Sequence, residues 1–285
     1  MNTLQHKIDF VVLVSVTMAN GNGDPLNGNR PRTDYNGYGE ISDVCIKRKI
    51  RNRMQDMGHK IFVQSDSRCD DEFGSLSERA SSVLKGEKNR DVYAQKACET
   101  WLDVRTFGQV FAFKDVKGVS VGIRGPVSIH QAVSFSPVEI ESLQITKSVN
   151  GEKKDKKGDD AGMSSDRMGM KHFVRFGLYE IKGSINVQLA EKTGFSYADA
   201  QTVKECLRTL FVNDTSSARP DGSMEVVKLF WWEHNCKDGQ YSSAKVHRSV
   251  KAVLKSGVDV PARAEDYDIF VEPLADLEPE ILEGL

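Results

Sequence analysis

The chain has 285 residues, 39% of them hydrophobic and 28% charged, with 13 Phe and three Trp to anchor a core; this fits one large domain carrying insertions and excludes a disordered or fibrous class. No apolar run approaches the roughly 20 residues that span a bilayer, and no cationic stretch leads into an apolar one at the start, so a cytoplasmic protein without a membrane partner is expected. The net charge of −2 hides an uneven spread: residues 259–285 hold nine acidic residues and one basic, Arg263, leaving 38 basic and 32 acidic residues ahead of them, a cationic body with an acidic end.

Residues 7–18, rich in Val, predict a buried strand. The next segment, 19–32, carries four Asn, three Gly and two Pro, which rules out a helix or a central strand. A helix follows at 43–57, with Ser42 or Asp43 as its N-cap and Ile46, Ile50, Met54 and Met57 as an apolar stripe. Lys47 through Arg53 places five cations in seven residues beside that stripe. They suit a solvated face or a phosphate-facing one.

Residues 64–90 are polar and weakly patterned, an insertion; a helix is expected at 90–101, and 104–118 looks irregular. Val119 to Val133 predicts a strand with an irregular start, and Val138 to Thr146 another. Residues 148–170 have the composition of a mobile loop. Strand character returns at 171–189. A helix is expected at 196–211, opened by Ser196 with Asp199 in a capping-box position, then a strand at 224–232, a helix at 243–255 and a last strand at 267–272. The acidic end reads as a solvated tail or as a contact for a neighbour's basic surface. Without the insertions, the order is strand, helix, strand, strand, helix, strand. This is the ferredoxin-like order. RNA-recognition sheets share it, as do many proteins that bind no RNA.

Chemistry is sparse. The Gly/Asn segment lacks the Gly-x-x-x-x-Gly-Lys-Ser/Thr of a phosphate loop. Asp24 and Asp34 are candidates to share Mg²⁺ for phosphodiester cleavage, but no third carboxylate or His clusters with them, and Asp before Pro25 suits a turn. Six scattered His and five widely spaced Cys show no metal-ligand spacing, and the thiols read as reduced. No cofactor is expected. Backbone binding of RNA fits better. Arg30 and Arg32 offer guanidinium forks beside exposed amides, with Asn22 and Asn29 in the same loop. Lys47 and Arg51 follow on the helix, and Arg124 is bracketed by Gly122 and Gly125. Met163, Met168 and Met170 with Lys171, His172 and Phe173 set apolar wedges beside cations; the plainer reading packs the methionines on the chain's own surface.

Five segments in order carry a resemblance: Asn22-Gly23-Asp24-Pro25 through Asn29-Arg30-Pro31-Arg32, Lys47-Arg48-Lys49-Ile50-Arg51, Asp103-Val104-Arg105-Thr106-Phe107-Gly108, Arg124-Gly125-Pro126-Val127-Ser128, and Asn213-Asp214-Thr215-Ser216-Ser217-Ala218-Arg219-Pro220. Together they resemble the CRISPR-associated, RAMP-superfamily backbone subunit of type I Cascade, nearest its subtype I-C member. The resemblance implies an α+β fold with an RRM-like palm, a finger insertion at about 64–118 and a thumb at about 134–172. It also implies polymerisation of copies along one CRISPR RNA (crRNA), with Arg219 among the RNA-binding residues. The expected partners are that guide, target DNA through guide pairing, further Cascade subunits and a recruited helicase-nuclease. Such a subunit is not itself the nuclease. The alternative is a metal-dependent RAMP ribonuclease using Asp24 or Asp34.

Overall fold

The computed structural model describes residues 3–113, 120–146 and 168–285. In chain order its elements are β1 (Ile8–Ala19), β2 (Gly23–Asp24), β3 (Arg30–Pro31), β4 (Tyr38–Ile41), α1 (Asp43–Asp56), α2 (Leu76–Leu84), α3 (Arg90–Thr100), α4 (Leu102–Phe107), β5 (Gly108–Phe111), β6 (Val121–Arg124), β7 (Val127–Ile129) and β8 (Ala132–Pro137). They continue with β9 (Ile140–Thr146), β10 (Met168–Ile185), α5 (Val187–Thr193), α6 (Tyr197–Arg208), β11 (Met224–Glu233), α7 (Ser243–Ser249), β12 (Val250–Leu254), β13 (Tyr267–Val271) and β14 (Glu280–Glu283).

The centre is one large antiparallel sheet in the order β14-β11-β1-β10-β8-β4, with β7 and β9 also pairing with β10. β1 is apolar on both faces because both are covered. Ile8, Phe10, Val12, Val14 and Val16 pack toward α1 and α6, joining Ile46, Ile50, Met54, Val203 and Leu207. Val11 and Leu13 meet Phe230, Trp232, Val246, Val250 and Tyr267, so α7 and the β12–β13 hairpin plate the second face. A third core stands apart, built from Leu84, Tyr93, Val104, Phe111 and Val121 of α2–α4 and the β5–β6 hairpin, with Phe62 and Trp101 from the segments between helices.

The strongly patterned elements lie where the sequence puts them. Ser42 caps α1, accepting the Cys45 N–H, and Ser196 with Asp199 closes a reciprocal capping box on α6. Several expectations shift. α2 forms within 64–90, read as a weakly patterned insertion, since one of its three buried residues is Arg79, whose guanidinium is satisfied by Asp71 and the Phe62 carbonyl; α4 runs four residues into 104–118, read as irregular. The strand expected over 171–189 ends at Ile185, where the Asn186 side chain accepts the Leu189 N–H and starts α5. The helix expected over 243–255 stops at Ser249, and the β-branched Val250 and Val253 pair with β13 instead. Gly125-Pro126 and His130-Gln131 divide the strand expected over 119–133 into β6, β7 and the start of β8. The acidic end is not wholly a solvated tail: β14 extends the sheet along β11. The stretch 148–170 and Met163 fall largely or wholly outside the described residues, as does most of the interior of 134–172 and the end of 64–118.

Candidate nucleic-acid interface

The Gly/Asn segment is a pinned miniature hairpin. β2 and β3 pair Gly23 with Pro31 and Asp24 with Arg30. Asp24 Oδ1 accepts the Leu26 N–H at 3.2 Å to start a short 3-10 turn, and Gly28 and Asn29 close it at φ 58°. A Cβ on Gly23 would lie 2.1 Å from Asn29 Oδ1, so any larger residue there would displace the Asn29 side chain from the hairpin. Asn22 ties the hairpin to α1, its Oδ1 accepting the Ser42 N–H at 2.9 Å. Asn20 donates from Nδ2 to the Asn29 carbonyl at 2.7 Å. The two carboxylates proposed for metal serve turns here: Asp34 Oδ1 accepts the Asn36 and Tyr38 N–H groups at 2.8 and 2.9 Å, and Asp24 pairs with Arg32 at 3.3 Å. Among the described residues no group of three or more His, Cys, Asp or Glu is placed to hold a metal ion.

The hairpin abuts the ribbon formed by β9 and the first half of β10. Arg30 donates to Ser142 Oγ at 3.1 Å, and His172 Nδ1 lies 2.8 Å from the same hydroxyl. The fold thus joins Arg30 and His172, which are 142 positions apart, through a residue that sequence reasoning did not single out. Lys171 stands opposite Leu143 in the ladder. Met168 and Met170 are 70% and 56% exposed, so the methionines are presented outward, on the face they share with Gln144 and Thr146; Leu143 and Ile145, 51% exposed each, lie on the ribbon's other face.

The α1 cations are less free than their spacing suggests. Lys47 pairs with Asp43 one turn earlier at 2.9 Å. Arg51 Nε donates to the buried Asp103 at 2.9 Å, and its guanidinium lies 4.9 Å from the Phe107 ring centre. Arg48 donates to the Val63 carbonyl, and Arg53 to Thr209 Oγ1. Lys49 points inward to Asp214, which also accepts from Arg219 Nε at 3.1 Å. Arg124 lies elsewhere, on β6, lining a groove of about 750 Å³ with residues of α3 and α5 such as Gln95 and Lys192.

Fold and site together define a class: a mixed α/β chain on a large antiparallel sheet, with a cation-bearing loop and an apolar–cationic ribbon joined at one place. Residues 6–272 match the family model "CRISPR-associated protein Cas7", and the chain belongs to that family. A curated relative of the same description from Haloferax volcanii is 26% identical over 239 residues, covering 77% of this chain and 68% of the relative. Among solved structures, a chain of a "CRISPR RNA-guided surveillance complex, pre-nicking" superposes with a TM-score of 0.51 at 14% identity, covering 89% of this chain and 84% of that one; the likeness is one of fold. No helix among the described residues is long and apolar enough to cross a membrane.

Proposed function

We propose that this chain is a guide-RNA-binding backbone subunit of a type I Cascade surveillance complex, of subtype I-C character. Copies assemble along one crRNA and leave its bases free to pair with target DNA. Further subunits and a recruited helicase-nuclease complete the system, and the chain itself has no catalytic role. The observation that carries the reading is the junction of Arg30, Ser142 and His172 within a chain matched to its family from residue 6 to 272. There, backbone-rich turns and cations meet an exposed ribbon that shows no clustered aromatic platform among the described residues, an arrangement suited to gripping phosphates rather than reading bases. The order β11-β1-β10-β8, fourth-first-third-second among the core strands, supports an RRM-like palm. The separate core of residues 62–121 supports a finger, and the β9–β10 ribbon supports the base of a thumb.

The test is a binding comparison on the full chain with single-stranded RNA and DNA of one sequence. Tighter binding to RNA, with a steep salt dependence and RNA of defined length in the purified protein, is the expected result. Equal affinity for both would contradict the guide role. Mg²⁺-dependent cleavage of labelled RNA, lost on Asp24→Ala, would replace this reading with the ribonuclease. The two turns formed by Asp24 and Asp34 lead us to expect none.

A further inference from the structure

Lys49 is the cation of α1 with the least access to solvent, its side chain 4% exposed. Burial pushes its pKa down, and the Asp214 carboxylate opposes that push. Asp214 in turn holds Arg219 by Nε only, and the Arg219 side chain remains 27% exposed. The turn carrying both is closely fixed. Ser216 and Arg219 exchange backbone hydrogen bonds of 2.9 and 3.1 Å, Ser216 Oγ accepts the Arg219 N–H as well, and Asn213 sits at φ 59°. The same turn reaches the Gly/Asn hairpin, where the Asn20 N–H donates to the Ala218 carbonyl at 2.9 Å. Lys49 and Arg219 share Asp214, and Arg32 of the hairpin pairs with Asp24, so α1, the 213–220 turn and the hairpin tied to it each carry a cation. Arg219 commits Nε to Asp214, which leaves its outer guanidinium edge as the complement of a phosphodiester.

We propose that Asp214, clamped by the buried Lys49, is a positioning residue: it turns the outer guanidinium edge of Arg219 toward a phosphate of the bound strand and holds the Asn20–Asn29 hairpin beside it. The inference rests on the RNA-binding reading above. Charge alone gives Asp214 the opposite effect, since a carboxylate beside a polyanion repels it. Sign therefore separates the two roles.

The experiment is a salt titration of RNA affinity for the full chain, using a labelled single strand of mixed sequence. Asp214→Asn is expected to bind several-fold more weakly despite losing a negative charge. Its log affinity against log salt should be shallower by about 0.7, one single-strand phosphate contact, and Asp214→Glu should restore part of both. Because Asp214→Asn leaves Lys49 buried without its partner, the double variant Lys49→Met/Asp214→Asn, checked for folding by its melting curve, serves as the second probe. It should show the same shallower slope, and adding Arg219→Ala to it should change the slope no further. Unchanged slope or tighter binding in folded variants overturns the inference while leaving the RNA-binding reading intact. Failure of the unsubstituted chain to bind RNA overturns both.

Discussion

Asp9→Ala should destabilise the folded chain by about 3–5 kcal/mol, the cost of removing one partner from a buried charge network. Asp9 sits in β1 with no solvent exposure. Its Oδ2 accepts from Lys7 Nζ at 2.9 Å and from His234 Nε2 at 2.8 Å. The Gln240 N–H donates to His234 Nδ1 at 2.9 Å, which fixes the proton on Nε2, aimed at Asp9. His247 Nε2 lies 3.8 Å from Asp9 Oδ1 and donates to the Gly183 carbonyl at 2.9 Å. One carboxylate thus joins β1, the end of β11 and α7, and holds the α7–β12–β13 plate on the sheet. Without it, Lys7 and His234 lose their shared acceptor inside the protein.

The same network sets an acid response. Burial raises the Asp9 pKa, but hydrogen bonds from His234 and Lys7 oppose it, and the net shift is downward. Burial pushes the His247 pKa below its ordinary 6.5, against the pull of the Gly183 carbonyl and Asp9, with His130 and Lys182 also opposing its charge. Both groups bind fewer protons folded than unfolded, so stability rises with pH. It is fully present above about 6.5 and declines below that as His247 is forced to charge, then further below the ordinary carboxylate range as Asp9 protonates. Urea midpoints measured across this range should fall on acidification in the unsubstituted chain and less so in His247→Gln. A midpoint independent of pH between neutrality and pH 5 would refute the His247 assignment.

A loss of similar size, about 3–5 kcal/mol, is expected for Asp103→Ala. Asp103 is 1% exposed, and it accepts the Phe62 and Val63 N–H groups at 2.7 and 3.1 Å as well as Arg51 Nε. Its removal strands two backbone donors and a guanidinium where α1 meets the third core. Early proteolysis within residues 62–113, with the central sheet still folded, would show that the damage is local. Arg51→Ala separates two roles of one side chain. Loss of stability reports the Asp103 tie; a shallower salt slope for RNA reports a phosphate on its free edge.

How much of this was legible beforehand depended on the range of the interaction. The β1 run, the stripe of α1 with its Ser42 cap and the Ser196–Asp199 capping box are local signals, and those elements lie where they were expected. α5 and β12 were misread because short segments of Val and Leu satisfy both helix and strand patterns until a cap or a partner strand decides. The loop at 19–32 was recognised from composition, and Asp24 from its place before Pro25 as a turn former. That Asp34, just beyond the loop, also closes a turn, and that Asn22 holds the Ser42 N–H, needed the structure.

By itself the sequence determined the apolar two-faced centre, the cationic body with its acidic end, and the glycine and asparagine positions that only a tight turn accommodates. The tertiary structure alone decided which cations are spent. Arg51 meets Asp103, Lys49 meets Asp214, and Arg30 reaches Ser142, each across a separation that no local period encodes. A charge on a helix face has no role until another element packs against it. Desolvation and a fixed carboxylate then make it a strut, and continued exposure leaves it for phosphate.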